Sequence, residues 1–240
     1  MCCFTQPVLS VSNTNIFARS GEGRLQFLAY QMQLDARADL AMVLPLPVPH
    51  ESSLRFINLE GYPTFFTAMT AGVFPPVQSR SGSRSMPLEV VSVGSFDASF
   101  VPKMADFSRL DARFRLPAGT WEKLPQYMDW GFAVFKLKPG QHKVHPMAFE
   151  FPRRNPRELF FPTVHIHDGQ VHAQAEFDHT LFCQHRTEEK FALSTWAESA
   201  QPASGFMEVA KCEGLVNPAK HIYGLRMVGE LKNEDTVLRF

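Results

Sequence analysis

The chain has no net charge, no long apolar run and few cysteines, and each shortage closes a class of function. Lys plus Arg and Asp plus Glu number 24 each in 240 residues, so no broad basic field is available to hold a phosphate backbone. Nucleic acid is excluded as the expected partner. No window approaches the roughly 20 consecutive apolar residues of a membrane helix. Residues 1–20 also lack the charged start and apolar stretch of an export signal. The sequence therefore predicts a cytoplasmic protein with no membrane span. The four cysteines, Cys2, Cys3, Cys183 and Cys212, are too few for a disulfide framework, and a reducing compartment keeps them as thiols. There is no internal repeat and no heptad pattern.

What is abundant is Phe, at 22 residues, and Pro, at 18. Together they favour short strands with aromatic packing and proline-broken connections over long helices. The expected class is α+β, predominantly antiparallel β with a few short helices, in a single domain spanning 1–240. Ile16-Phe17-Ala18, the turn Ser20-Gly21-Glu22-Gly23 and the segment Arg24 to Leu34 read as an opening hairpin. Asp39 to Val48 reads as an apolar strand stopped by prolines, and Thr64 to Ala71 as a short helix closed by Gly72. A polar stretch at about 75–87 reads as a flexible loop and Leu88 to Val93 as a strand. Short helical pieces are expected near Pro102–Arg109 and Thr120–Met128. Further strands are expected at Trp130–Leu137, Lys143–Phe151, Phe206–Cys212 and His221–Leu231.

The most informative stretch is Glu158 to Cys183, a long apparent hairpin with Asp168-Gly169 as a two-residue turn. In that register His165 pairs with His172 and His167 with Gln170. Alternation places His165, His167 and His172 on one face and Val164, Ile166, Val171 and Phe177 on the other. Residues two apart on a strand are roughly 6.6 Å apart, and opposed Cβ atoms about 5 Å, so the three imidazoles are expected to converge on one transition-metal ion: copper, zinc or iron. Three protein ligands leave an open position, which suits a metal-dependent oxidoreductase or hydrolase with room for a small-molecule substrate. A closed shell would instead make a non-catalytic metal-binding or interaction domain. His145, Cys2 and Cys3 are secondary candidates for the shell. The contrasting reading is a solvated polar face, and a Gly bulge at Gly169 would send His172 to the other face. His179 falls on the apolar side and reads as a core histidine.

The start, Met1-Cys2-Cys3, offers different chemistry. If Met1 is removed, Cys2 combines a thiol nucleophile with its own terminal amine as base. Met-Cys followed by a strand ending in Arg, as Ile16-Phe17-Ala18-Arg19 does, resembles the N-terminal-nucleophile hydrolases of the bile-salt-hydrolase type. That resemblance implies an amide hydrolase using Cys2 with Arg19 beside it. Over roughly residues 1–165, three segments in order resemble the bacterial domain-of-unknown-function family 2330. These are Asp39-Leu40-Ala41-Met42-Val43-Leu44-Pro45-Leu46-Pro47, Tyr127-Met128-Asp129-Trp130-Gly131-Phe132-Ala133-Val134-Phe135-Lys136-Leu137 and His145-Pro146-Met147-Ala148-Phe149-Glu150-Phe151. That family implies no particular activity.

Overall fold

The computed structural model describes residues 2–50, 52–75, 96–117, 119–186 and 193–240. In chain order the strands are β1 (Cys2–Phe4), β2 (Ser10–Ser20), β3 (Leu25–Ala36), β4 (Leu40–Leu46) and β5 (Arg55–Asn58); one helix, α1 (Phe65–Val73), follows. Then come β6 (Asp97–Val101), β7 (Gly131–Leu137), β8 (Gly140–Lys143), β9 (Met147–Pro152), β10 (Glu158–Phe161), β11 (His165–Ile166) and β12 (Gln174–Gln184). The chain closes with β13 (Ala197–Glu198), β14 (Tyr223–Lys232) and β15 (Thr236–Arg239). The class expected from composition is what forms: mostly antiparallel sheets with little helix.

Two sheets carry the fold. A five-stranded sheet runs β11-β1-β4-β7-β6, and an eight-stranded one contains β13-β14-β12-β2-β3-β9-β5, with β8 pairing to β3. Their facing sides share one core, in which Met42, Leu44 and Phe135 meet Ile16, Leu28, Phe149 and Leu181. The outer face of the large sheet is covered by α1 and residues of the 203–222 segment, and that of the small sheet by four 3-10 turns between 104 and 127. With both faces covered, all seven residues of β4 are buried, a continuous apolar run rather than an alternating one. Its Pro45 pairs with Phe132 of β7, while β1 reaches only Met42 and Val43. The proline therefore sits where the ladder is one-sided, the position that tolerates a missing N–H.

The opening hairpin forms as β2 and β3, closed by Gly21 donating its N–H to Leu25 O, with Gly23 at φ +58°. Phe65, Phe66, Met69 and Val73 put one stripe of α1 against the large sheet. At Gly72 a Cβ would stand 2.2 Å from the Phe206 ring, so that ring lies directly on the helix backbone. This contact corrects the strand expected at Phe206–Cys212: the segment packs as 3-10 turns, Ala203–Gly205 and Val209–Lys211, whose side chains lid α1. The expected loop beyond residue 75 and the strand at Leu88–Val93 lie outside the described residues. No helix among the described residues is long and apolar enough to cross a membrane.

The long hairpin does not form. β10 pairs with β15, β11 pairs in parallel with β1, and β12 inserts between β14 and β2. Asp-Gly makes a local turn instead: the Asp168 carboxylate accepts from Gln170 N, and Gly169 has φ +80°. The backbone groups a hairpin would have paired are taken by two side chains from the β14–β15 turn. Asn233 accepts from His165 N and donates to His165 O and His172 O, while Asp235 accepts from Thr163 N and Val164 N.

Asn233→Ala removes three such bonds and leaves buried His165 backbone groups unsatisfied, so urea unfolding should show a loss of about 2 kcal/mol. Asp168→Ala, on the exposed turn, should stay within about 0.5 kcal/mol. Equal losses for the two variants would refute the clamp.

Candidate functional site

The histidines gather where the two sheets meet at the β1–β11 edge. Parallel pairing sets Cys2 opposite His165 and Cys3 opposite Ile166, while His179 on β12 lies opposite Thr14 and Met227. The His165 ring is 4.8 Å from that of His167 and 4.5 Å from that of His179, centroid to centroid, and packs on Phe177 at 4.4 Å. Phe4 closes the other side of His167 at 5.5 Å. Val8 N donates to His167 O, fixing the loop that carries the ring. His165 and His179 are buried, and Nε2 of His165, Nε2 of His167 and both ring nitrogens of His179 meet no hydrogen-bond partner among the described residues.

His172 is not part of this group. Its side chain is half exposed and its Nε2 is 2.8 Å from Asp168 Oδ2. The expected triad His165, His167 and His172 therefore does not assemble, because the pairing that would have set His172 opposite His165 is replaced by β1 on one side and Asn233 on the other. Among the described residues no group of three or more His, Cys, Asp or Glu is placed to hold a metal ion. The expectation of a metal-binding protein with copper, zinc or iron is corrected accordingly. The secondary ligands do not rescue it. His145 packs against Phe96, beside β6 at the opposite edge of the small sheet from β11. Cys3 is fully buried among Val43, Phe132 and Ile166.

Arg19 has structural work elsewhere. Its Nε and Nη2 donate to Leu215 O and Gly214 O, both at 2.8 Å, and its guanidinium lies 4.2 Å from the Phe27 ring centroid. It stands five positions along β2 from Thr14, the partner of His179, which is roughly 17 Å at strand rise. It therefore faces a different end of the sheet from Cys2 and its partner His165.

Electrostatically the cluster is a set of neutral rings. Burial, with His167 adding to it, pushes His165 down to about 3; burial pushes His167 down to about 4 and His179 well below its ordinary value. Beside the cluster, Asp235 is buried with Tyr127 donating to it at 2.6 Å. Burial raises that carboxyl, and the Tyr127 phenol is held protonated by burial and by Asp235. The sequence reading placed His179 in the core but missed Asn233 and Asp235. Their one signal is the run Asn233-Glu234-Asp235 between two apolar strands, a pattern of turn residues whose side chains seek backbone groups.

No protein-family model matches the chain, and no curated protein matches it. Solved structures do. The crystal structure of baculovirus P35 superimposes with a TM-score of 0.55 over 96% of both chains at 13% identity. P35 in complex with caspase-8 gives 0.47 at 12% identity, covering 95% and 96%, and a mutated P35 after caspase cleavage gives 0.48 at 12%, covering 96% and 98%. The first comparison shows a shared fold from end to end.

The ionisation of the cluster makes stability depend on pH in one direction. Neutral in the fold, these histidines gain protons below about 6.5 only when the chain unfolds, so each removes up to about 1.4 kcal/mol per pH unit as pH falls. The loss levels off for His167 near 4 and for His165 near 3. Asp235, raised rather than lowered, works in the opposite sense. Urea unfolding from pH 7.5 to 4.5 should show a steep decline starting near 6.5 that is shallower in His179→Leu. A flat profile, or one unchanged by that substitution, would sink this account.

Proposed function

We propose that the chain is a protein-binding domain whose partner is a caspase-like cysteine protease. The observation that carries this reading is the fold likeness to baculovirus P35 over nearly the full length of both proteins. P35 has been crystallised with caspase-8 and after caspase cleavage. The side chains most suggestive of chemistry in the sequence also have structural employment: Arg19 holds the carbonyls of Gly214 and Leu215, and His172 pairs with Asp168. The fold then acts as a rigid support, its two-sided sheets holding a partner-facing surface in one geometry and so reducing the ordering cost of association.

The test is to mix the purified chain with active caspase-8 at equimolar concentration and follow three readouts. These are co-elution on size exclusion, the intact mass of the chain, and turnover of a fluorogenic peptide. The expected result is a complex that withstands gel filtration, with turnover suppressed and a cut in the chain. Separate elution, an intact chain and undiminished turnover, repeated across initiator and executioner caspases, would reject the reading.

A further inference from the structure

The large sheet ends on a strand that is only half used. β14 pairs with β12 along its whole length, but on its other side β13 meets only Tyr223 and Gly224. Among the described residues, Leu225 to Lys232 therefore present one edge with no strand beside it, and such edges invite pairing with another chain. Val228, at the middle of this stretch, is 67% exposed.

The sequence of that edge is complementary to itself. In an antiparallel pair of two copies centred on Val228, residue numbers across the interface sum to a constant. Arg226 then meets Glu230, Leu225 meets Leu231, Met227 meets Gly229 and Val228 meets its own copy. By strand alternation the two Arg226–Glu230 pairs flank the central Val228 pair on one face, while the Leu225–Leu231 and Met227–Gly229 pairs share the other. A shift of the two-fold to Gly229 would instead set Arg226 against Lys232. β13 limits the ladder too, because Gly224, which it already pairs, is the residue opposite Lys232, leaving Leu225 to Leu231 as a symmetric window.

Three features of the single chain fit this pairing. Within the sheet Glu230 lies directly opposite Glu176, a like-charged cross-strand pair that a second Arg226 would relieve. The Arg226 guanidinium is already held 4.5 Å from the Phe74 ring centroid. Gly229, at φ +97°, has no atom within 4 Å of where a Cβ would stand, leaving space for the opposing Met227.

We propose that β14 is a dimerisation edge, through which two copies of this chain join antiparallel about Val228 into one continuous sheet. This is an isologous contact, closed by its own symmetry.

Sedimentation velocity from about 1 to 500 µM, a range spanning the weak affinities of small interfaces, should show the mass rising from one chain to two. Arg226→Glu and Glu230→Arg each create two like-charged pairs and should weaken the dimer roughly tenfold. The double variant Arg226→Glu/Glu230→Arg should restore it, with circular dichroism confirming that all three fold. A chain monomeric throughout the range overturns the proposal. So does a dimer insensitive to both single changes, or one the double change fails to restore.

Discussion

Covering a sheet on both faces asks its strands to be apolar at every position, and the central strands of both sheets are covered that way over much of their length. The demand explains why β4 has seven consecutive buried residues. It also explains why aromatic side chains recur through the layers: Phe149 meets Phe56, Phe135 and Phe151 between the sheets, while Phe17 meets Phe65 on the far side of the large sheet. Large flat rings fill such gaps with favourable edge-to-face contacts. The outer layers are thin, one nine-residue helix on one side and 3-10 turns on the other. They suffice because each buries its few aromatic and aliphatic residues directly against strand side chains.

Elements whose partners are close in sequence were readable from it. The β2–β3 hairpin is joined by four residues rich in Gly, and its turn chemistry and apolar pattern agree. The same holds for α1, whose apolar spacing and preceding Pro63 are local, although Gly72, expected to close it, lies inside its last turn. The stretch from Glu158 to Cys183 was not readable, although its Asp-Gly signal is strong in isolation. Residues Asn233 and Asp235, about 70 positions away, supply better hydrogen bonds to that backbone than its own neighbour would. Cys2 then takes the other side. A short-range turn preference is worth little against such a set of bonds. The candidate site suffered from the same error. Two of the three expected histidines are together, but the third place belongs to His179, whose approach depends on how the sheets stack.

The histidine cluster also shows what a core can hold. Three imidazoles lie among Phe4 and Phe177 with several ring nitrogens meeting no partner among the described residues, so the packing treats them as aromatic discs and accepts the cost of desolvating polar atoms. The likeness to P35 is one of strand arrangement over nearly the whole chain, whereas the histidines, held neutral by burial, bear on how the fold tolerates acid.

The parallel bond between β1 and β11 joins residues 2–3 to residues 165–166, and β11 is in turn held by the side chain of Asn233. The first strand of the small sheet thus cannot complete its pairing until residues as far along as Asn233 exist. During synthesis β1 has to wait for partners made more than 160 residues later, a separation that slows folding through the entropy of closing so large a loop. A nascent chain of this protein therefore carries an unfinished sheet edge until Asn233 is available, which places the β14–β15 turn late in the assembly of the small sheet.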